Sequence, residues 1–108
     1  MGDPIAYHVA TITASAGTIF DRAEGGFNTS PPSGTGSFVG RVTTAEIRAR
    51  GDGTSPTASV GLTLKATDLI YMSVTETKAT EFIRTGSTSG VIEGHFYPDS
   101  LSELRGRL

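Results

Sequence analysis

The chain has 108 residues, nine basic against eleven acidic, and 36% hydrophobic residues. That length suits one domain with one modest core, and the hydrophobic fraction lies well away from the charged, apolar-poor compositions that stay disordered. The small negative balance argues against nucleic-acid binding, which draws on excess Lys and Arg to displace counterions from phosphates. With no cysteine, disulfide staples, thiolate nucleophiles and cysteine-ligated zinc are excluded. No stretch approaches the roughly 20 apolar residues that span a bilayer, and Met1-Gly2-Asp3-Pro4 lacks the basic, then apolar, start of a secretion signal. No membrane partner is therefore expected. About a quarter of the residues are Ser or Thr and fourteen are Gly, a mixture that favours strands and turns.

In chain order, residues 5–15 (IAYHVATITAS) alternate as a strand with Ile5, Tyr7 and Val9 on one face and His8, Ala10 and Ile12 on the other. Both faces are fairly apolar, so both are expected to be covered, and Thr18-Ile19-Phe20 extend the pattern past Gly17. Residues 21–36 (DRAEGGFNTSPPSGTG) read as a long loop whose one large apolar residue, Phe27, is its expected anchor or contact. Residues 37–49 (SFVGRVTTAEIRA) read as a second strand that bends or bulges at Gly40. Asp52-Gly53 marks a turn, and residues 57–65 (TASVGLTLK) carry the cleanest alternation, predicting a core strand with Ala58, Val60, Leu62 and Leu64 inward. Residues 69–75, 79–85 and 91–97 read as a meander of three hairpin-linked strands. Ser100-Leu101-Ser102-Glu103 is a capping box opening a short helix with Leu101, Leu104 and Leu108 on one face. The expectation is an all-β single domain over residues 1–108: a small sandwich or barrel of six to seven antiparallel strands with a short C-terminal helix.

Candidate chemistry is sparse. His8 and His95 are the two histidines, each inside a strand, and no acidic residue lies at a spacing that would complete a metal shell with them. No G-x-S-x-G elbow selects a serine nucleophile. Glu76, Glu81 and Glu93 would do paired-carboxylate chemistry only if two shared a cleft, and Glu81 and Glu93 read instead as flanking Arg84 and Thr85 on a solvated outer face. The Gly34–Gly40 run has no Lys and no helix behind it, unlike a phosphate loop. Arg50-Gly51-Asp52 spells the tripeptide that integrins read, in a place where Asp-Gly is what a tight turn requires. No catalytic, cofactor-binding or metal-binding residue is predicted, and the chain is expected not to be an enzyme.

Residues 42–68 (VTTAEIRARGDGTSPTASVGLTLKATD) resemble a tract of the small head-decoration proteins of tailed phages, where a short strand, an Asp-Gly-Thr turn and an Ala-x-Val-Gly-hydrophobic segment follow in similar order. The resemblance covers about a quarter of the chain and carries over no individual binding residue. It implies a trimer-forming protein on a capsid surface whose N-terminal arm pairs with shell strands. The expected function is a virion structural protein, a capsid decoration, head-completion or tail component, with itself or a major capsid or tail protein as partner. Ile5, Tyr7, Val9, Phe27 and Tyr97 are the expected interaction residues. A competing expectation is a β-sandwich module that binds a glycan or protein through Phe27, Tyr97 and the loops at one end.

Overall fold

In the longer strands apolar residues at every second position force one face out of water, and two sheets meet on those faces. A computed structural model describes residues 3–25 and 27–105. Among them the chain forms β1 (Ala6–Ile12), β2 (Ala23–Gly25), β3 (Ser37–Thr43), β4 (Ile47–Arg50), β5 (Leu62–Leu64), β6 (Leu69–Ser73), α1 (Val74–Ala79), β7 (Glu81–Arg84), β8 (Gly90–Tyr97) and α2 (Leu101–Arg105). A five-stranded antiparallel sheet runs β2-β1-β8-β3-β6, and a three-stranded antiparallel sheet runs β5-β4-β7. The predicted all-β class holds, with eight strands.

His8, Ala10 and Ile12 of β1 are buried together, as the alternation predicted, against Phe38 and Val42 of β3 and Ile92 and Phe96 of β8. The opposite face of β1 is not covered: Tyr7 is 52% exposed and Ile5 39%. All five phenylalanines lie in the core or pack against it, Phe27 among the latter. Ile19 and Phe20 also reach the core, from a turn rather than from an extension of β1. The chain beyond β1 then joins the second sheet, where Gly17 exchanges backbone hydrogen bonds of 3.1 and 2.8 Å with Phe82 of β7.

Several expectations about individual strands fail. The strand over residues 37–49 is two strands in different sheets, because Thr44 turns the chain with a φ of 73°. Gly40 carries no bulge; it pairs in register with Gly94 and Ile70. The predicted core strand at 57–65 shrinks to β5, an edge strand whose Leu62 is 74% exposed, and Gly61 at φ 139° breaks the alternation before it. The meander is replaced by a crossover: Ser73 and Glu76 form a capping box that starts α1, so β6 and β7 fall in different sheets. The long loop also contains β2, which pairs with β1 at Val9 and Ala10. The capping box expected at Ser100 and Glu103 is present, with bonds of 3.0 and 3.3 Å. Leu108 and the side chain of Leu104 lie outside the described residues.

Gly94→Ala tests the glycine pair. Its Cβ would overlap the Val39 carbonyl oxygen, a backbone atom that cannot swing away, and would meet Phe38 Cζ at 2.9 Å. A loss of about 3 kcal/mol in urea unfolding is expected, the upper end for overpacking. Thr44→Asn should act oppositely and raise stability by about 1 kcal/mol, since asparagine tolerates the left-handed region that threonine resists.

Candidate interaction surface

The outer face of the five-stranded sheet is set by register. Tyr7 of β1 stands opposite His95 of β8, His95 opposite Val39 of β3, and Val39 opposite Tyr71 of β6, so four side chains form one row across the sheet. The next row runs Val9, Glu93, Arg41 and Leu69. Rows of this kind are the unit of interaction on a sheet. Here they place aromatic rings beside a carboxylate and a guanidinium.

The Tyr7 hydroxyl donates to Glu93 Oε2 at 2.8 Å, and its ring meets His95 edge-on with centroids 5.5 Å apart. His95 in turn lies 6.4 Å from Tyr97. Because the Glu93 carboxylate accepts a hydrogen bond that only the neutral phenol can donate, with burial and the nearby negative charge adding to the effect, the Tyr7 phenol is pushed above its ordinary range. Between the rows, Val39, Arg41, Leu69, Glu93, His95 and Tyr97 rim a shallow dish of about 400 Å³ whose floor is the Gly40–Gly94 pair. Arg41 is exposed on its edge.

A second concavity, about 410 Å³, opens between the β5 and β6 edges. Leu62 and Leu64 form one bank, Leu69 and Tyr71 the other, with Ala49, Ile70, Met72 and Phe82 also in its walls. Its cause is the Lys65–Asp68 turn, where Lys65 N–H donates to Asp68 Oδ2 at 2.8 Å and Thr67 adopts a φ of 83°. From that turn β5 and β6 diverge into separate sheets.

Tyr7, Val9 and Tyr97 of the expected interaction residues share the outer face, with Ile5 just before β1. Phe27 does not join them. It packs inward, 5.7 Å from Phe96 and 6.5 Å from His8, and so anchors the loop to the core. The two histidines lie on opposite faces of one sheet, since Tyr7 rather than His8 is registered with His95. His8 is fully buried among Phe20, Phe38 and Phe96 and donates from Nε2 to the Ile19 carbonyl at 2.9 Å; its Nδ1 has no partner among the described residues. No group of three or more His, Asp or Glu side chains that could hold a metal occurs among the described residues. The three glutamates are spent separately: Glu76 caps α1, Glu81 accepts from Ser55 at 2.6 Å, and Glu93 binds Tyr7.

In the Arg50–Asp52 turn the guanidinium grips the carboxylate through two bonds of 2.6 and 3.1 Å, so each charge is answered within the tripeptide itself. That contact holds the Asp52 carboxyl below, and the Arg50 guanidinium above, its ordinary range. Val39, Arg41, Leu69 and Tyr71 are surface members the sequence did not single out. Their signal is present for β3, where residues 39 and 41 alternate opposite Phe38 and Val42, but only the strand order brings them beside Tyr7 and His95.

Fold and surface together define a small two-sheet β protein with one aromatic sheet face left uncovered by its own chain. Comparison with family models, curated proteins and solved structures finds no match for the chain. Among the described residues no helix is long and apolar enough to cross a membrane.

The Tyr7–Glu93 pair makes the outer face sensitive to alkali. A folded-state phenol raised above its unfolded value of 10.0 contributes stability that is present below that value and is lost as pH climbs through the folded one. Among the three tyrosines, Tyr7 should ionise at higher pH in the folded protein than it does in the Glu93→Ala variant. Tyrosinate absorbance measured against pH, with Tyr7→Phe to assign the transition, checks this; identical curves for wild type and Glu93→Ala would refute it.

Proposed function

We propose that the chain is a non-enzymatic structural component of a virion, a capsid decoration, head-completion or tail component, that acts through self-association and strand pairing with its own copies or with a major capsid or tail protein. The observation that carries the reading is the uncovered outer face of the five-stranded sheet, where Tyr7 is 52% and Leu69 51% exposed. Aromatic and apolar side chains on one sheet face are what a neighbouring subunit buries, and tyrosine and arginine are enriched among interface hot spots. The resemblance of residues 42–68 supports the same class, whereas β1 is paired on both sides, with β2 and β8, and is not the strand that would pair with a neighbour. Virion localisation and the absence of nucleic-acid partners belong to this proposal.

The dish beside Tyr97 favours a second reading, a glycan-binding module, because ring faces beside a carboxylate and a guanidinium suit a sugar. Phe27, turned into the core, adds nothing to it. Sedimentation over a range of concentrations separates the two. The assembly reading expects oligomers that weaken by roughly 30-fold in Kd, about 2 kcal/mol, in Tyr7→Glu. A monomer at every concentration that binds an arrayed sugar, and loses it in Tyr97→Ala, favours the glycan module instead.

A further inference from the structure

We infer that β6 is the strand through which two copies of the chain pair, antiparallel and about a two-fold axis centred on Tyr71, joining their five-stranded sheets into one. The inference rests on the self-association proposed above and adds to its outer-face contact a second one, along the sheet edge. Free strand edges are templates for pairing, and proteins usually blunt them with charges, proline, bulges, shortness or a cover. The other edges here are blunted. β2 has three residues, carries Glu24 and shifts register between Val9 and Ala10. β5 has three residues and ends against Lys65. β7 is covered by the chain after β1, with Gly17 bonded to Phe82 and Arg84 N–H donating to the Thr13 carbonyl at 3.0 Å.

β6 lacks charge, proline and a bulge, and the short helices α1 and α2 are its other neighbours. Its five residues, Leu69-Ile70-Tyr71-Met72-Ser73, include no charge and no proline, and its pairing with β3 is unbroken. The Val42 N–H donates to the Asp68 carbonyl at 2.9 Å, so by antiparallel alternation residues 68, 70 and 72 serve the β3 ladder. The backbone groups of Leu69 and Tyr71 then face the open side. Ser73 shares that parity, and its N–H is taken by Glu76 Oε1 at 2.9 Å, which ends the free edge where α1 begins.

The occupant follows from charge and register. β6 itself is uncharged, so neither copy brings an ion into the shared ladder; Glu76, in the wall of the adjoining groove, already accepts from the Ser73 N–H. Centred on Tyr71, the pairing sets Leu69 opposite Ser73 and Ile70 opposite Met72 of the other copy, so like meets like on the inner side. The incoming strand would lie over the groove beside β6 and cover Leu62, which is 74% exposed on its far bank. An isologous contact of this kind closes as a dimer.

The chain has no cysteine, so single introduced thiols report the contact directly. In an antiparallel pair the Tyr71 Cα atoms of two copies stand about 5.5 Å apart, within disulfide reach. Tyr71→Cys should therefore oxidise to a disulfide-linked dimer, while Glu24→Cys on β2 and Lys78→Cys on α1 should not. Leu69→Lys and Tyr71→Lys should each weaken dimerisation at least ten-fold by sedimentation with the thermal melt retained, and mixing Tyr71→Lys with Tyr71→Glu should restore a mixed dimer. Leu69 is already half exposed, so its variant folds even if the Tyr71 variants do not. Oligomers indifferent to all β6 variants, or control thiols that cross-link as well as Tyr71→Cys, overturn the pairing and leave the assembly reading standing. A wild-type monomer at every concentration overturns the pairing and self-association together.

Discussion

The two sheets can close on an aromatic core because positions 40 and 94 have no side chains. Across the inner face the register runs His8, Gly94, Gly40, Ile70, and the Phe38 ring lies over the two glycines in the middle of that row. A Cβ at Gly40 would sit 2.7 Å from Phe38 Cε2, so the ring occupies the space that side chains would otherwise fill. Laid there, Phe38 comes to 5.1 Å from the Phe96 centroid and 6.4 Å from that of His8. The histidine is thereby walled off from water, and among the described residues its one polar link is the Ile19 carbonyl, which pins the turn after β1 to the core. Fixing φ and ψ at a glycine costs more entropy than at other residues, and the close strand approach and buried ring stack offset that cost.

The same pair shapes the outside. A sheet with two opposed glycines has no inner side chains to push its centre outward, and the dish rimmed by Arg41, Glu93, His95 and Tyr97 lies on their other side. Core packing and surface relief are thus one feature seen from two faces. Tyr7 and His95 flank the dish because β1 pairs with β8 in that register, and a slip of one residue would bring His8 out and send Tyr7 in.

How much of this was legible depended on whether the deciding signal was local. β1 and β8 could be read because alternation over seven or eight residues matches a half-buried strand, and the capping box at Ser100 is complete in four letters. Ser73-Val74-Thr75-Glu76 is the same signal, but it follows Leu69-Ile70-Tyr71-Met72, whose β character masked it and turned a helical crossover into an expected hairpin. The failure at residues 57–65 is different in kind. Alternating apolar residues there are real, yet Gly61 and an edge position leave Leu62 in water, and burial is a property of the neighbour that is present rather than of the strand itself. The outer face could be only half seen, since Tyr7, Val9 and Tyr97 are visible in the sequence while their neighbours Val39 and Tyr71 depend on strand order.

Strand order also decides what the exposed leucines mean. Leu62 and Leu69 stand on opposite banks of one opening because the Lys65–Asp68 turn sends consecutive strands into different sheets, leaving β5 and β6 without a common ladder. Had the two strands paired as a hairpin, both leucines would sit on a closed wall and the apolar groove would not exist. The divergence is held by backbone bonds on the β3 side, where Thr67 donates to the Val42 carbonyl at 2.7 Å and Val42 to the Asp68 carbonyl at 2.9 Å. These bonds hold the start of β6 in the large sheet, away from β5. An opening held this way keeps apolar side chains and free backbone groups together at the surface, and a strand brought by another chain satisfies both at once.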